Sequence, residues 1–337
     1  MTVGAAWRDG VRRVNGAPLI VAGMFTFTLL LALPLSIALR GMIEAHLDDS
    51  LTAAAAADGT DLDWWNEFSA QASGLGTTFV PSIVGFGAVL DNLGGLLDNL
   101  PMAATIAGAT VAWMILWSFL SGGVLDRYAR QRPTRTHGFF AACGTHFWRF
   151  VRLGVLMWLI YGILFAWIHP LLFDELFPWI TRDTTVERTA FLVRVALYGV
   201  FGALLIGCNL VFDYARIRIV VEDRHSAIGS FVAGARFVRR NPATVRLYLL
   251  NASVFLLLAL AYALLSPGAP GGFAIWVALA IGQLYILVRH YLKLLFYASQ
   301  IAYFQGALAH ASYTAAPQVV WPDSPAAESI GNASPML

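Results

Sequence analysis

Residues 190–222, AFLVRVALYGVFGALLIGCNLVFDYARIRIVVE, decide the fold. From Ala190 to Phe212 the run carries a single charge, Arg194, and it has the length of the ~20 residues a helix needs to cross ~30 Å of hydrocarbon. Arg194 lies close enough to the start of the run to snorkel outward. At Asp213 the pattern changes. Arg216, Arg218 and Glu222 enter, while Ile217, Ile219, Val220 and Val221 keep an apolar face, so the helix is expected to leave the bilayer and continue to about Glu222.

Working outward, five further apolar stretches of similar length cover Pro18–Leu39, Met102–Val124, Phe150–Ile168, Leu247–Leu265 and Gly272–Val288. With 58% hydrophobic and 12% charged residues the chain is too apolar for a soluble globule, in which about a quarter of positions are charged. The expected class is therefore all-α, a polytopic membrane bundle of six transmembrane helices. One domain, 1–305, contains an outer helical insertion at 40–100, and an Ala-, Ser- and Pro-rich tail at 306–337 is expected to be disordered. Arg12 and Arg13 precede the first stretch as they would a signal peptide, but the stretch has 22 apolar-dominated residues and no clear small-x-small cleavage site before Arg40, so an uncleaved span is expected.

The basic residues give an orientation. Eighteen of the 22 fall before the first span, between the second and third, between the fourth and fifth, or after the sixth. Arg40, Arg182, Arg188 and Arg194 are the exceptions. Because Lys and Arg are retained in the cytoplasm, both termini and the two arginine-rich connections are expected there. Lys293 is the single lysine among these 22, an arginine bias that suits a GC-rich bacterial genome and an inner-membrane address. Segregated charge with a net of +2 argues against nucleic-acid binding and for contacts to the lipid bilayer, with anionic lipid headgroups at the cytoplasmic elbows. Cys143 and Cys208 form no disulfide framework.

The outer connection reads as short interfacial helices. Asp61 and Asp63 can cap a helix carrying Trp64, Trp65 and Phe68 that ends at Gly74 and Gly76, with the indoles at the membrane interface. Leu90-Asp91-Asn92-Leu93 returns as Leu97-Asp98-Asn99-Leu100, which suggests an interfacial or re-entrant segment. A seventh span over Thr78–Leu100 is rejected, because it would invert every later loop and export the arginines.

The two arginine-rich connections resemble each other. Asp126 precedes Arg149-Phe150-Val151-Arg152 by the same interval at which Asp213 precedes Arg236-Phe237-Val238-Arg239, which suggests a parallel repeat of units at about 102–172 and 190–266. Each Asp is expected to pair with its own basic group: Asp126 with Arg149 or Arg152, and Asp213 with Arg236 or Arg239. In the second connection Ser226 can cap an amphipathic helix lying in the headgroup region, with Ile228, Phe231, Val232, Ala235 and Val238 at helical spacing and Arg236, Arg239 and Arg240 pointing elsewhere, that Asn241-Pro242 ends. The run Asp213–Glu222, with Ser226-Ala227 and Phe237-Val238-Arg239-Arg240-Asn241-Pro242, resembles the cytoplasmic elbow of several bacterial six-span families of unknown function. More loosely it resembles the membrane domain attached to some glycerophosphodiester phosphodiesterases. The likeness implies a six-helix membrane fold and, without a soluble phosphodiesterase domain, transfers no activity.

Small residues recur four apart in the second, fourth and sixth spans: Ala104, Gly108 and Ala112; Gly199, Ala203 and Gly207; Ala274, Ala278 and Gly282. Such stripes are expected to bring these three helices together. Asn209, Asn251 and Gln283 are candidate intramembrane contacts between helices. No catalytic, cofactor or metal motif is present: His137 and His146 lack metal-ligand spacing, and His169-Pro170 with Asp174 and Glu175 reads as an exposed outer loop. The expected function is that of a non-enzymatic membrane scaffold or regulator with a protein partner or a second copy. The alternative is a small-molecule or lipid transporter, and a polar cavity within the bundle would separate the two.

Overall fold

A computed structural model describes residues 1–48, 53, 61–79, 94–100, 104–265 and 274–310. Its helices in chain order are α1 (Val3–Asn15), α2 (Pro18–Leu47), α3 (Leu62–Gln71), α4 (Ala104–Arg130), α5 (Thr136–Thr181), α6 (Glu187–Val221), α7 (Ala227–Arg240), α8 (Ala243–Leu265) and α9 (Ala274–His310). Six of them, α2, α4, α5, α6, α8 and α9, are long and apolar enough to cross a membrane. No strand occurs among the described residues. The Asp91-Asn92 copy of the outer repeat and the tail from 311 onward lie outside them, while α9 carries helix to His310, beyond the expected start of the tail.

Local chemistry sets several boundaries. The Thr2 hydroxyl accepts from Ala5 N at 3.3 Å, Asp61 accepts from Asp63 N and Trp64 N at 3.0 and 3.1 Å, and Ser226 accepts from Gly229 N at 3.1 Å, so α1, α3 and α7 each start on a side-chain cap. Helix α6 runs past Asp213 to Val221. Helix α5 departs from expectation. His169-Pro170 does not end it, because wide i→i+5 turns at Leu164–Ile168 and Leu171–Leu176 flank the proline and absorb its missing N–H and its ring. His169 is therefore no loop residue: it is buried and bonds the Leu97 carbonyl at 2.8 Å.

The core sits at the arginine-rich end. Leu125 and Tyr128 of α4, Phe212, Tyr214, Ala215, Ile217 and Ile219 of α6, and Leu294, Ala298, Ile301 and Phe304 of α9 are sealed from solvent, joined by Phe150 and Leu153 of α5. Helix α1, which the sequence marks only as a basic flank, lies along the second half of α9. A Cβ on its Gly10 would stand 2.8 Å from the Ser299 backbone. Arg13 donates to the Tyr128 carbonyl and to Gln305 Oε1, both at 2.8 Å, and burial holds its guanidinium below its usual pKa. At the opposite end Leu30, Leu33 and Ile37 of α2, Leu256, Leu260 and Leu264 of α8 and Trp276 of α9 face outward.

Close helix approach occurs elsewhere than at the small-residue stripes. Gly108, Gly199 and Gly207 have nothing within 4 Å of an added Cβ, and Gly282 meets only the Tyr262 hydroxyl at 4.0 Å. The tight contacts are Gly123 on Cys143 and Phe139, and Gly234 on the Val211 carbonyl at 2.9 Å, where α5 and α7 fold back over the last turns of α4 and α6. Spacing alone could not tell a stripe facing lipid from one facing a helix. Helix α7 accordingly buries Ser230 and Gly234 and leaves Ile228 and Val232 outward. The two connections also differ: α5 continues unbroken through Arg149 and Arg152, whereas Asn241-Pro242 separates α7 from α8 because Pro242 has no N–H to donate. Trp64 turns inward against His46 and Phe68 and donates to His46 Nδ1 at 3.1 Å, away from the interface expected for it.

Candidate functional site

Above the packed end the bundle opens into a cavity of about 860 Å³ walled by α2, α4, α5, α6, α8 and α9. Such a volume lies in the range of small-molecule sites. Along α9 it reaches from Tyr297 to Ile286, which at 1.5 Å per residue is about 16 Å. The lower part is charged and aromatic, with Asp213 and Arg216 from α6, Arg289, His290, Lys293 and Tyr297 from α9, Trp113 and Trp117 from α4, Tyr161 from α5 and Tyr248 from α8. The upper part is apolar: Leu31 and Leu35 of α2, Ala109 of α4, Trp158 of α5 and Ile286 of α9.

The carboxylate is fully engaged. Arg216 Nη1 approaches Asp213 Oδ1 at 3.2 Å and donates to the Tyr297 hydroxyl at 3.0 Å, while Gln300 Nε2 reaches Asp213 Oδ2 at 3.3 Å. His290 shares a 2.9 Å hydrogen bond with the Thr28 hydroxyl. Lys293 is different. Its ammonium rests on the Trp117 ring, 4.0 Å from the centroid, with Trp113 at 5.6 Å. Among the described residues neither it nor Arg289 has an ion-pair partner. A cation–π contact offsets about 2 kcal/mol when desolvated, whereas withdrawing an ammonium from water costs several kcal/mol, so Lys293 is left undercompensated.

The elbow pairings expected from the sequence are replaced by others. Asp126 pairs with Arg130 at 2.7 Å and Asp213 with Arg216, each about one turn along its own helix, because a helical neighbour is already within reach whereas a partner across the connection must be brought there by packing. Arg149 pairs instead with Asp223 ahead of α7, tying the two connections together and holding the Asp223 carboxyl below its usual pKa. Arg152 donates to the Trp148 carbonyl at 3.3 Å, and Arg236 and Arg239 face outward. Asn209 lines the cavity and donates to the Tyr248 hydroxyl at 2.9 Å. Asn251 is buried below it and donates to Ser299 Oγ at 3.0 Å. The half-buried Gln283 side chain makes no hydrogen bond among the described residues.

Sequence reading found Asp213 and Asn209 but passed over Arg216, Arg289, His290, Lys293 and Tyr297 as components of one site. A signal existed: Arg289, Lys293 and Tyr297 recur at four-residue intervals and so share one face of α9, beyond the expected end of its span. Among the described residues no group of three or more His, Cys, Asp or Glu is placed to hold a metal ion. Comparison with protein-family models, with curated proteins and with solved structures finds no match.

Proposed function

We propose that this is a non-catalytic integral membrane protein of the bacterial inner membrane that binds and carries a small amphiphilic molecule in the cavity between its six long helices, with the arginine-rich end and both termini in the cytoplasm. The observation that carries the reading is the cavity itself, large, charged at one end and apolar at the other. A scaffold has no use for a ligand-sized space held open at the cost of burying charge, so the carrier reading is preferred to the scaffold role. The orientation rests on the segregation of the arginines. The exposed Trp148 and Trp167 of α5 support the membrane placement, because they stand about 28 Å apart along the helix, close to the thickness of the hydrocarbon between two aromatic belts.

Two measurements test it. Reporters fused after Gly59, Thr136, Asp183 and Arg224 are expected to report outside, inside, outside and inside, and an outside-only reporter that is active after Thr136 reverses the orientation. For the cavity, a thiol introduced at Ala109 with Cys143 and Cys208 replaced by Ser is expected to react with a small maleimide in proteoliposomes and to be shielded by a bound amphiphile. A thiol that stays inert in folded protein removes the carrier reading.

A further inference from the structure

The cavity wall is unbalanced in charge. Among the described residues Arg216, Arg289 and Lys293 face it against one carboxylate, that of Asp213, which Arg216 and Gln300 already occupy. Lys293 and Arg289, four residues apart on α9, thus present to one space two cations that have no ion-pair partner among the described residues. We infer that the occupant is an anionic amphiphile whose phosphate or carboxylate sits on Lys293 and Arg289, with its hydrocarbon running past Trp158, Leu35 and Ala109.

Three features select this chemistry. An unpaired cation on a largely apolar wall favours an anion over a neutral or cationic guest. A free phosphate displaces only a few waters of ~30 Å³ each and would leave most of the 860 Å³ unfilled, so an apolar tail is needed to use the upper wall. Trp158 is 63% exposed at the rim, so the upper part of the cavity borders the bundle surface from which a lipid chain would enter. The site differs in kind from the outward-facing Arg236, Arg239 and Arg240, which could touch headgroups without admitting them to the bundle.

This inference rests on the cavity being a binding site, as proposed above, and the test separates the two. Full-length protein in a neutral maltoside detergent is titrated with oleate, dioleoyl phosphatidylglycerol, dioleoyl phosphatidylcholine and inorganic phosphate, with bound lipid read by native mass spectrometry and phosphate by calorimetry. One equivalent of oleate or phosphatidylglycerol is expected to bind at least tenfold more tightly than phosphatidylcholine. Lys293→Gln should weaken it at least tenfold, Lys293→Arg should largely restore it, and Arg239→Gln with Arg240→Gln should leave it unchanged. Leu35→Trp, which narrows the apolar part, should weaken the lipids alone. Should Lys293→Gln fail to fold, the exposed Arg289→Gln carries the same comparison. Equal affinity for phosphatidylcholine and phosphatidylglycerol, or indifference to both charge substitutions, overturns the inference while leaving a neutral amphiphile site intact. Phosphate alone binding as tightly as the lipids reduces the site to one for a free anion and also overturns it. Retention of no amphiphile by the wild type brings down the carrier reading with it.

Discussion

The two ends of the bundle are built on different principles. At the arginine-rich end α1, α5 and α7 fold back on the last turns of α4, α6 and α9 and seal Tyr128, Phe212, Tyr214 and Phe304 from solvent. Toward the other end α2 exposes Leu33 and α8 exposes Leu256 and Leu264, and between the long helices lies the cavity. The contrast follows from the solvent. Where helices emerge into water, each apolar side chain gains ~1.5–3 kcal/mol by burial and the helices are pulled together. Within lipid that drive is absent, and helices can stand apart around a guest. The packed end thus forms a closed base, and the open part leaves the cavity between the helices.

The sharpest way to break this comparison is to overfill the packed end. Gly10→Leu and Gly234→Leu place atoms where an added Cβ already meets backbone at 2.8 and 2.9 Å, and each is expected to cost about 3 kcal/mol, read as a lowered unfolding midpoint in detergent. Gly108→Leu and Gly199→Leu, with nothing within 4 Å, should stay within about 0.5 kcal/mol of wild type. A loss there equal to that at Gly10 would mean that the stripes do contact neighbouring helices and that the two ends are packed alike.

The next effect lies where the two regions meet. Asp213→Ala strips Arg216 and Gln300 of their shared carboxylate on the cavity floor and is expected to cost about 2 kcal/mol, less than breaking an isolated buried pair because Arg216 keeps its bond to the Tyr297 hydroxyl. Asn251→Leu loses its bond to Ser299 inside the base and should cost about 1 kcal/mol without changing what the cavity binds. Altered ligand binding in that variant would show that base and cavity are coupled.

The smallest effect belongs to the link between the two connections. The Arg149 contact depresses the Asp223 pKa, so the stability it contributes is present above the ordinary carboxylate range near pH 4 and is lost as pH falls through the lower folded value. Because Asp223 is largely exposed, Asp223→Asn is expected to flatten only slightly the acid limb of a melting-temperature profile between pH 3 and 6. A large change would make this pair a principal fastening of the base.

Features governed by neighbours in sequence were legible. Hydropathy located the six long helices, caps placed the starts of α3 and α7, the apolar continuation past Asp213 carried α6 to Val221, and Asn241-Pro242 separated α7 from α8. Each depends on hydrogen bonds and side chains within a few residues. The proline in α5 marks the limit of such rules, since a helix held by its neighbours can widen its turns and continue.

What only the tertiary structure decided is which face meets which: α1 against α9, Arg149 with Asp223, Asp213 with Arg216 and Gln300, and Lys293 on Trp117 with no counterion among the described residues. These partners lie on different helices or depend on the rotation of one helix against another. In a membrane that rotation is set by the fit of side chains across helices and not by an inside-outside polarity that periodicity could display. The sequence alone therefore determined that the chain is a bundle of six long apolar helices with its arginines gathered at one end. The packing of those helices made a cavity and left two cations facing it.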